Sequence, residues 1–359
     1  MSNATIRDVA AQARVSIKTV SRVINNVKSV QPETRERVMK VIRKLNYHPN
    51  PSARGLGGSR SYLIGVLYDY TCAYYATGVF EGVLEICRAA RYQVVLHPCD
   101  YQLPTLVDDV MTHVRQSRAD GVIITPPLSD IGSVVGALKE HQVPFVRIAP
   151  AEHENDLHSV YTNDRESCAR MTEQLALLGH RRIGFVIGNP DHAAVADRYR
   201  GYRDGLKSSG LVLDKKLIVQ GYNSFSSGVE CGRKLLTLPA DRRPTAIFAS
   251  NDEMAAGVLA VAHGLGLAVP EDVSVAGFDD VPLASQVWPA LTTVKQPVAA
   301  MSARAAELLL QQLRGEADAR GGQVIESSLT FRQSTGPAAD RAVNERVRSA
   351  RMEKLATAR

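Results

Sequence analysis

The side chains best suited to recognition chemistry lie in SIKTVSRVIN, residues 16–25. On a helix, which turns about 100° per residue, the aliphatic residues of this segment share one arc and the cationic and hydrogen-bonding residues share the other. The first arc holds Ile17, Val20, Val23 and Ile24, and the second holds Lys18, Ser21, Arg22 and Asn25. Such a helix buries one face and presents donors and positive charge on the other. An ordinary amphipathic surface helix has the same pattern, so the flanking sequence must decide.

Positive charge is concentrated at this end of the chain. Residues 1–60 carry twelve Lys or Arg and three Asp or Glu, a formal charge of +9, and because the 359-residue chain carries +6, the remainder carries −3. A basic region on a mildly acidic body is typical of a protein whose basic part meets a polyanion. The five cysteines are scattered and form no CxxC or Cys/His cluster at metal spacing, so neither disulfides nor a zinc site is expected.

Other function classes lack their sequence signatures. No G-x-S-x-G, Walker A loop, H-E-x-x-H or G-x-G-x-x-G at a strand–helix junction occurs, so we expect no catalysis and no cofactor. The N-terminus lacks a charged leader followed by an apolar segment, and no apolar run approaches the roughly 18 residues of a membrane span. The sequence therefore predicts a soluble, cytoplasmic protein with no membrane partner.

Helices are predicted on both sides of SIKTVSRVIN. Ahead of it, TIRDVAAQARV has an apolar stripe and Thr5 as a cap, and Ser16 can cap the next helix by accepting a first-turn N–H. Behind it, Pro32 opens PETRERVMKVIRKLNY, whose apolar stripe can cover the first two helices. Two short helices joined by about four residues form a helix-turn-helix. With a third helix covering them, Lys18 and Arg22 stay exposed, which is the geometry of a recognition helix in a DNA major groove.

This region resembles the DNA-binding head of the lactose-repressor (LacI/GalR) family of transcription regulators. The matching elements are D-V-A, V-S-x-x-T-V-S-R-V-[IL]-N, T-R-x-x-V and L-N-Y-x-P-N. The resemblance implies base contacts from Ile17, Lys18 and Arg22, of which the two cations suit the O6 and N7 acceptors of guanine. Ile17 offers only an apolar contact, and a core role is equally open. Implied phosphate contacts, which position the head without reading sequence, come from Thr5, Ser16, Thr19, Ser21, Asn25 and Ser29.

The segment NPSARGLGGSR, residues 50–60, has an N-cap and an N1 proline but three glycines, each of which weakens a helix by roughly 1 kcal/mol. Composition alone favours a flexible linker. The resemblance instead implies a hinge helix that orders on the operator, pairs with its twin and places Leu56 as a wedge in the minor groove. The implied minor-groove residues are Ala53, Arg54 and Leu56.

From Tyr62 the pattern changes to alternating strands and helices, in one series to about residue 160 and a second series after it. Alternating βα units indicate parallel sheets covered on both faces. Ligands of such sheets bind beyond the carboxyl ends of the strands, so two sheets predict one shared cleft. The segments LGHRRIGFV, RYRGY, PTAIFASNDEMAAGVL and VSVAGFDD followed by LTTVKQP resemble the periplasmic-binding-protein-like core of the same family.

The predicted architecture is a small all-α helix-turn-helix head with a hinge, joined to an α/β core of two doubly wound parallel-sheet subdomains. The head spans residues 1–48, the hinge 49–60 and the core 61–338. Within the core, the N-subdomain comprises about 61–160 plus 294–320 and the C-subdomain about 161–293 plus 321–338. Residues 339–359 form a basic tail, either an exposed helix or disordered, and without leucine heptads that would indicate a tetramer we expect a dimer.

The resemblance also implies that four core residues contact the effector, namely Arg198, Phe225, Asn251 and Asp279. Each of them could instead have a purely structural role. Arg198 is otherwise a surface arginine, Phe225 a core aromatic and Asp279 a turn residue. Asn251 precedes Asp252, and both could cap a helix, with Ser250 and Glu253 forming a capping box. Asp252 is the more structural of this pair.

The first subdomain offers Asp69, Tyr70, Tyr74 and Tyr75 after its first strand, and the tyrosines suit saccharide stacking and hydroxyl contacts. Ala149–Pro150 stand where many sugar-binding family members carry an acid, which removes a carboxylate or transfers its task to Asp69. Arg147 would favour an acidic ligand unless it is a surface residue.

These features together predict a homodimeric repressor that binds a pseudo-palindromic operator and a small effector, a carbohydrate or related metabolite. Two other classes of protein are alternatives to a regulator. A solute-binding protein would lack the basic head, and a sugar-processing enzyme would need a catalytic constellation that the sequence does not offer.

Overall fold

The chain divides into two units, Met1–Tyr62 and Leu63–Arg359. The structure, a computed structural model, describes residues 4–24, 29–47, 60–69, 73–151, 158–316 and 322–338. The predictions for Asn25, Ala53, Arg54, Leu56, Tyr70 and the tail 339–359 lie outside these ranges, as does the hinge apart from Arg60. None of the described helices has both the length and the apolar character that a membrane crossing requires.

Within its described residues, the first unit contains three short helices, α1 (Ile6–Ala13), α2 (Ile17–Ile24) and α3 (Pro32–Lys44). Their apolar stripes meet in one small core around the buried side chains of Val9, Val20 and Val38. Ile24 packs partly buried against the same core. The predicted three-helix unit is therefore confirmed, and so is the buried arc of α2 for Val20, Val23 and Ile24, whereas Ile17 is exposed and outside this core.

The second unit alternates strands and helices along its length. In chain order its elements are β1 (Leu63–Tyr68), α4 (Ala73–Ala89), β2 (Gln93–Pro98), α5 (Leu106–Ser117), β3 (Gly121–Ile124), α6 (Gly132–Glu140), β4 (Phe145–Ile148), β5 (Ser159–Thr162), α7 (Asp164–Leu177), β6 (Ile183–Ile187), α8 (Ala194–Ser208), β7 (Ile218–Gln220), α9 (Phe225–Leu236), β8 (Ala246–Ala249), α10 (Asp252–Gly264), β9 (Ser274–Asp279), α11 (Pro282–Gln286), β10 (Thr292–Lys295), α12 (Val298–Arg314), β11 (Gln323–Ile325) and β12 (Ser328–Thr330). Short 3-10 turns lie at Leu128–Asp130 and Lys215–Leu217.

The strands form two six-stranded sheets. The first has the order β11-β5-β4-β3-β1-β2 with parallel neighbours throughout, and the second has the order β12-β10-β9-β8-β6-β7. In the second sheet β12 runs antiparallel to β10, whereas the other pairs are parallel. The strand order reverses between β1 and β3 and again between β6 and β8. Doubly wound sheets bind ligands at such switch points.

Helices cover both faces of each sheet. Helices α4 and α12 close one face of the first sheet and α5 with α6 the other. Helices α9 and α10 cover one face of the second sheet, and α7 with α8 cover the other. Because both faces are covered, β1, β3, β6, β8 and β9 have continuous buried runs rather than alternating ones.

The subdomain boundaries differ from those predicted. Gln323–Ile325, assigned to the C-subdomain from sequence, pairs as β11 with β5 in the first sheet, where Gln323 is opposite Val160. Thr292–Lys295 pairs as β10 in the second sheet, so the N-subdomain resumes after residue 295 rather than at 294. The chain returns to the first sheet with the short strand β11 after it has passed through the second sheet. Its three residues, one amide and two aliphatic, do not reveal by themselves which sheet edge they extend.

Close helix packing positions one functional residue. A Cβ atom at Gly201 of α8 would lie 2.1 Å from the carbonyl oxygen of Arg165 in α7. Only glycine permits this approach of the two backbones. Arg198 of α8 thereby comes within hydrogen-bonding distance of Asp164, the first residue of α7.

Candidate nucleic-acid interface and effector pocket

Helix α2 presents a polar surface on the side opposite the core of the head. Lys18 and Arg22 are exposed, whereas Val20 and Val23 are buried. Ile17 is 45% exposed and does not belong to the core of the head. The face predicted to meet DNA is therefore accessible, and Ile17 lies on that face.

Side-chain caps begin the first two helices. Thr5 caps α1 through a reciprocal capping box, in which its backbone N–H donates to Asp8 Oδ2 at 2.7 Å. The Thr5 hydroxyl also donates to this carboxylate, and these bonds hold the pKa of Asp8 below its usual value. Ser16 Oγ accepts the N–H of Thr19 at 3.1 Å. Both predicted caps are confirmed.

The residues with implied phosphate contacts differ in exposure. Thr5, Ser16 and Ser29 are exposed, and Thr19 and Ser21 are half-buried. The Ser16 and Thr19 hydroxyls lie 2.9 Å apart. A hydroxyl is both donor and acceptor, so a capping serine can also donate to a phosphate oxygen.

The second unit contains a pocket of about 690 Å³, including its open mouth, between the carboxyl ends of its two sheets. From the first sheet, Asp69 follows β1, Thr125 follows β3 and Ala149 follows β4. From the second sheet, Asn251 follows β8 and Asp279 ends β9. The pocket therefore lies beyond the carboxyl ends of the strands, where doubly wound sheets bind ligands, and the predicted cleft is present.

Arg198 is the central charged group of this pocket. It is buried, and its Nε donates to Asp164 Oδ2 at 2.8 Å while Nη1 donates to the Ser250 carbonyl at 2.6 Å. Its guanidinium carbon lies 3.7 Å from the centroid of the Phe278 ring. Burial lowers the pKa of Arg198, but Asp164 and Asp279 outweigh this and hold it above the usual value. Arg198 is therefore a fixed cation and not the surface arginine of the alternative interpretation.

Asp279 lies beside this cation, with Oδ1 3.4 Å from Arg198 Nη1. Burial raises the pKa of Asp279 to about 7, and Arg198 opposes the rise while Asp164 adds to it. The residue has φ 113°, and the next residue, Asp280, has φ 58°. Non-glycine residues are strained there, and such strain is concentrated at ligand sites. Asp280 instead accepts a bond from Arg332 at 2.6 Å, which gives it a structural role.

The capping prediction at the start of α10 needs correction. Asn251, not Ser250, is the N-cap, because its Oδ1 accepts the Met254 N–H at 2.9 Å. Ser250 donates to the Val186 carbonyl at 2.8 Å. The Ser250 side chain thus bonds to strand β6, and the capping bond comes from Asn251 instead.

Asn251 and its neighbour Asp252 have different surroundings. Asn251 lines the pocket, and its Nδ2 donates to the Asn223 carbonyl at 2.9 Å. Asp252 is fully buried and accepts bonds from Thr293 Oγ1 at 2.6 Å and the Val281 N–H at 2.9 Å. The structural interpretation of Asp252 is thus confirmed.

His192, Asn223 and Gln296 are among the polar pocket residues that the sequence-based predictions do not include. Gln296 directly follows β10, so the strand-end rule that identified Asp279 could have found it. Its Nε2 donates to Thr162 Oγ1 at 3.3 Å, and its buried Oε1 has no hydrogen-bond partner among the described residues. Burial lowers the pKa of His192. His192 and Asn223 lie in loops, whose paths the sequence pattern does not predict.

The structure separates three predicted effector residues from the pocket lining, whereas Tyr75 and Asp69 belong to it. Arg147 donates to the Ser129 carbonyl at 3.1 Å and does not line the pocket. Tyr74 and Phe225 are 39% and 48% exposed, also outside the lining. Arg147 and Ala149 are two residues apart and would share a face of an extended strand, so the bond to Ser129, and not alternation, holds the Arg147 side chain away from the pocket.

A helix-turn-helix head and a two-sheet pocket in one chain define the class of ligand-responsive DNA-binding regulators. Residues 5–50 match the sequence profile described as "Bacterial regulatory proteins, lacI family", and residues 172–335 match that of the "Periplasmic binding protein-like domain". The chain is 34% identical over 339 residues to catabolite control protein A of Priestia megaterium, covering 93% of this chain and 99% of the relative. The chain belongs to the lacI family of bacterial regulatory proteins; it is a transcription regulator and not an enzyme.

Solved structures agree in fold along nearly the whole length. The complex of transcriptional regulator CelR with cellobiose superposes with a TM-score of 0.70 at 30% identity, covering 92% of this chain and 99% of that one. The lac repressor dimer bound to operator and the anti-inducer ONPF superposes with a TM-score of 0.77 at 28% identity, covering 93% and 100%. Operator DNA and a sugar are thus partners seen in related structures.

Proposed function

We propose that this protein is a cytoplasmic, homodimeric repressor whose affinity for a pseudo-palindromic operator is controlled by an uncharged carbohydrate bound between its two sheets. One observation carries the proposal: the pocket gathers carboxylates, amides and tyrosines around an arginine whose charge is already balanced by protein. The related lac repressor dimer bound to operator and the CelR–cellobiose complex support the two partners.

The charge of the pocket argues for a neutral ligand. Arg198 is paired with Asp164 and Asp279, so it has little attraction left for an anionic ligand. Asp69 adds a further buried carboxylate to the lining. Carboxylates accept hydrogen bonds from hydroxyls, whereas Asn and Gln amides both donate and accept. This set matches a polyol and would repel a sugar phosphate or a sugar acid.

Asp69 takes the place of the acid that Ala149 lacks. Both residues line the pocket, and they directly follow strands β1 and β4 of the same sheet. Tyr75 stands beside them and offers a ring face to the C–H side of a sugar. In this proposal Asp69, Tyr75, Arg198, Asn251 and Asp279 bind the effector.

The operator would be read by the exposed face of α2. Arg22 and Lys18 donate to guanine and Ile17 contacts a thymine methyl, while the capping hydroxyl of Ser16 donates to a phosphate. Two heads of a homodimer would read the two half-sites, and Leu56 of each hinge would enter the minor groove between them.

Effector control would act through the relative orientation of the subdomains. Gln296 donates to Thr162, Thr162 donates to Asp164, and Asp164 pairs with Arg198, so a polar chain runs from the strand exits β5 and β10 into the pocket. A ligand can shift the equilibrium between two orientations of the subdomains only if its affinities for the two orientations differ. That difference would change the separation of the hinges and hence operator affinity.

A ligand screen coupled to operator selection tests the proposal. Neutral mono- and disaccharides should include one that raises the melting temperature and changes affinity for the selected DNA, while sugar phosphates and sugar acids leave both unchanged. Preferential stabilisation by the acids would contradict the neutral-ligand assignment. Failure to select any DNA sequence would contradict the operator assignment.

Variants test the reading face. Arg22→Ala should reduce discrimination at one base position by about 1–3 kcal/mol, and Lys40→Ala, an exposed cation on α3, should keep the selected sequence. Leu56→Ala should lose specific affinity while salt-dependent non-specific binding survives. Normal operator binding by both Arg22→Ala and Leu56→Ala would refute the model.

A further inference from the structure

Four side chains with metal-ligand chemistry meet at the edge of the first sheet, outside the effector pocket. His97 lies near the end of β2 and Cys99 follows two residues later, so the two project to the same side of the extended chain. Asp109 and His113 are four residues apart on α5 and share one face of that helix. The sequence does not resemble a zinc motif because the two pairs become one cluster only when β2 packs beside α5.

The ligand atoms of this cluster are close together. His97 Nε2 lies 2.8 Å from Asp109 Oδ2, and these atoms and Cys99 Sγ all lie within 4.8 Å of one another. The imidazole rings of His97 and His113 stack with centroids 3.9 Å apart. In a tetrahedral zinc site, bonds of about 2.0–2.3 Å place ligand atoms roughly 3.5 Å apart. The ligand atoms of His97, Cys99 and Asp109 are near this spacing, whereas His113 lies outside this group of three and would have to turn its ring toward the ion.

Ordinary packing leaves part of the cluster unexplained. A hydrogen bond accounts for His97 and Asp109, and Cys99 Sγ lies 3.6 Å from the His97 carbonyl. His113 Nε2, however, is buried and has no hydrogen-bond partner among the described residues. Buried polar atoms are rarely left without a partner, so a further group at this position is expected.

The cluster is also accessible. Cys99 is fully buried, but the Asp109 side chain is 52% exposed. A groove lined by Pro98, Thr105 and Asp109 opens to solvent there. A metal ion can therefore approach the cluster from the Asp109 side.

We propose that His97, Cys99, Asp109 and His113 form a zinc-binding site that ties the edge strand β2 to α5. Two imidazoles, a thiolate and a carboxylate are ligands that Zn²⁺ accepts in tetrahedral sites. On binding, the Cys99 thiol loses its proton to solvent, the bond between His97 and Asp109 is exchanged for two bonds to the metal, and the His113 ring turns its free nitrogen to the ion. The site is separate from the operator-reading face and the effector pocket.

Cobalt(II) is the probe for this proposal, because a thiolate ligand gives Co²⁺ a sulfur-to-metal charge-transfer band and tetrahedral geometry gives intense visible bands. The full-length protein, reduced and freed of metal, should take up one equivalent of Co²⁺ with both signals and lose them when Zn²⁺ is added. Cys99→Ala should abolish the charge-transfer band. Cys87→Ala, which removes another buried thiol in α4, should keep it.

Asp109→Asn and His113→Gln should each weaken Co²⁺ binding at least about 10-fold. Because Asp109 is half-exposed, Asp109→Asn should keep the fold, which circular dichroism verifies. This variant therefore tests the metal site even if Cys99→Ala does not fold. The proposal is overturned by a wild-type protein that takes up no Co²⁺, by a spectrum without a thiolate band, or by unchanged affinity in Asp109→Asn. Weakening in Asp109→Asn but not in His113→Gln would overturn the assignment of His113 as the fourth ligand.

Discussion

Arg198 Nη1 lies 3.4 Å from Asp279 Oδ1 in the effector pocket, and the same guanidinium is bonded to Asp164 through Nε. One buried cation thus compensates two buried carboxylates. Asp164 begins α7, Arg198 lies in α8 and Asp279 ends β9. The three elements that frame the second subdomain's side of the pocket are therefore held together by one ionic group.

Loss of this cation should be strongly destabilising. Arg198→Met keeps an unbranched apolar stem but leaves Asp164 and Asp279 as buried carboxyls without a cation, which costs about 3–5 kcal/mol. Urea unfolding should measure that loss. Arg200→Met is the matched control on the same helix, since Arg200 is paired with Asp197 near the surface and such pairs contribute at most about 1 kcal/mol. Equal losses in the two variants would contradict the assigned role of Arg198.

Asp279 should impose a pH dependence on stability. Burial raises its pKa to about 7, whereas in the unfolded chain a value near 3.8 applies. The folded state therefore binds more protons at this group, so its contribution to stability is present below about pH 4 and is lost as the pH rises toward 7. Removing the group in Asp279→Asn should flatten the decline of the unfolding free energy over this interval, by at most about 4 kcal/mol.

Urea unfolding at a series of pH values, without added sugar, measures this effect. Asp241→Asn, which removes a well-exposed carboxylate, serves as control and should keep the wild-type slope. Parallel profiles for wild type and Asp279→Asn would show that Asp279 titrates alike in both states and would contradict the prediction.

Residue spacing predicts those features of the molecule that depend only on regular helices and strands. The burial of Val20 and Val23, the caps Thr5 and Ser16 and the position of Asp279 at a strand end follow from residue spacing alone, whereas Ile17, placed on the same apolar arc, is exposed. Arg147 shows where such reasoning fails, because the strand was correct but the direction of the side chain depends on the neighbouring Ser129 turn. His192 and the cluster around Cys99 depend on loop paths and on the packing of β2 against α5, which no local pattern encodes.

A hydrogen bond across the pocket should restrict opening of the cleft. Tyr101, after β2 on the first-sheet side, donates its hydroxyl to Asp191 Oδ2 at 3.2 Å and accepts Asn189 Nδ2 at 3.2 Å on the second-sheet side. Tyr101→Phe removes both bonds, each worth about 1 kcal/mol. Backbone amides of residues 189–192 should then exchange hydrogen roughly 5- to 30-fold faster. Tyr222→Phe, which changes a largely exposed ring, should leave hydrogen exchange unchanged. Equal exchange rates in wild type and Tyr101→Phe would show that the Tyr101 hydrogen bonds do not restrict opening.

Ile17 and Val20 allow a test that separates reading from folding within one helix. Val20 is fully buried in the head, so Val20→Ala should cost about 2 kcal/mol of stability. Ile17 is 45% exposed, so Ile17→Ala should change stability by about 0.5 kcal/mol or less. If Ile17 contacts a thymine methyl, operator selection with Ile17→Ala should lose its preference at one position, whereas Val20→Ala, assayed below its melting temperature, should keep the wild-type sequence. If Ile17→Ala kept the wild-type base preference and lost stability, Ile17 would have a core role and no contact with bases.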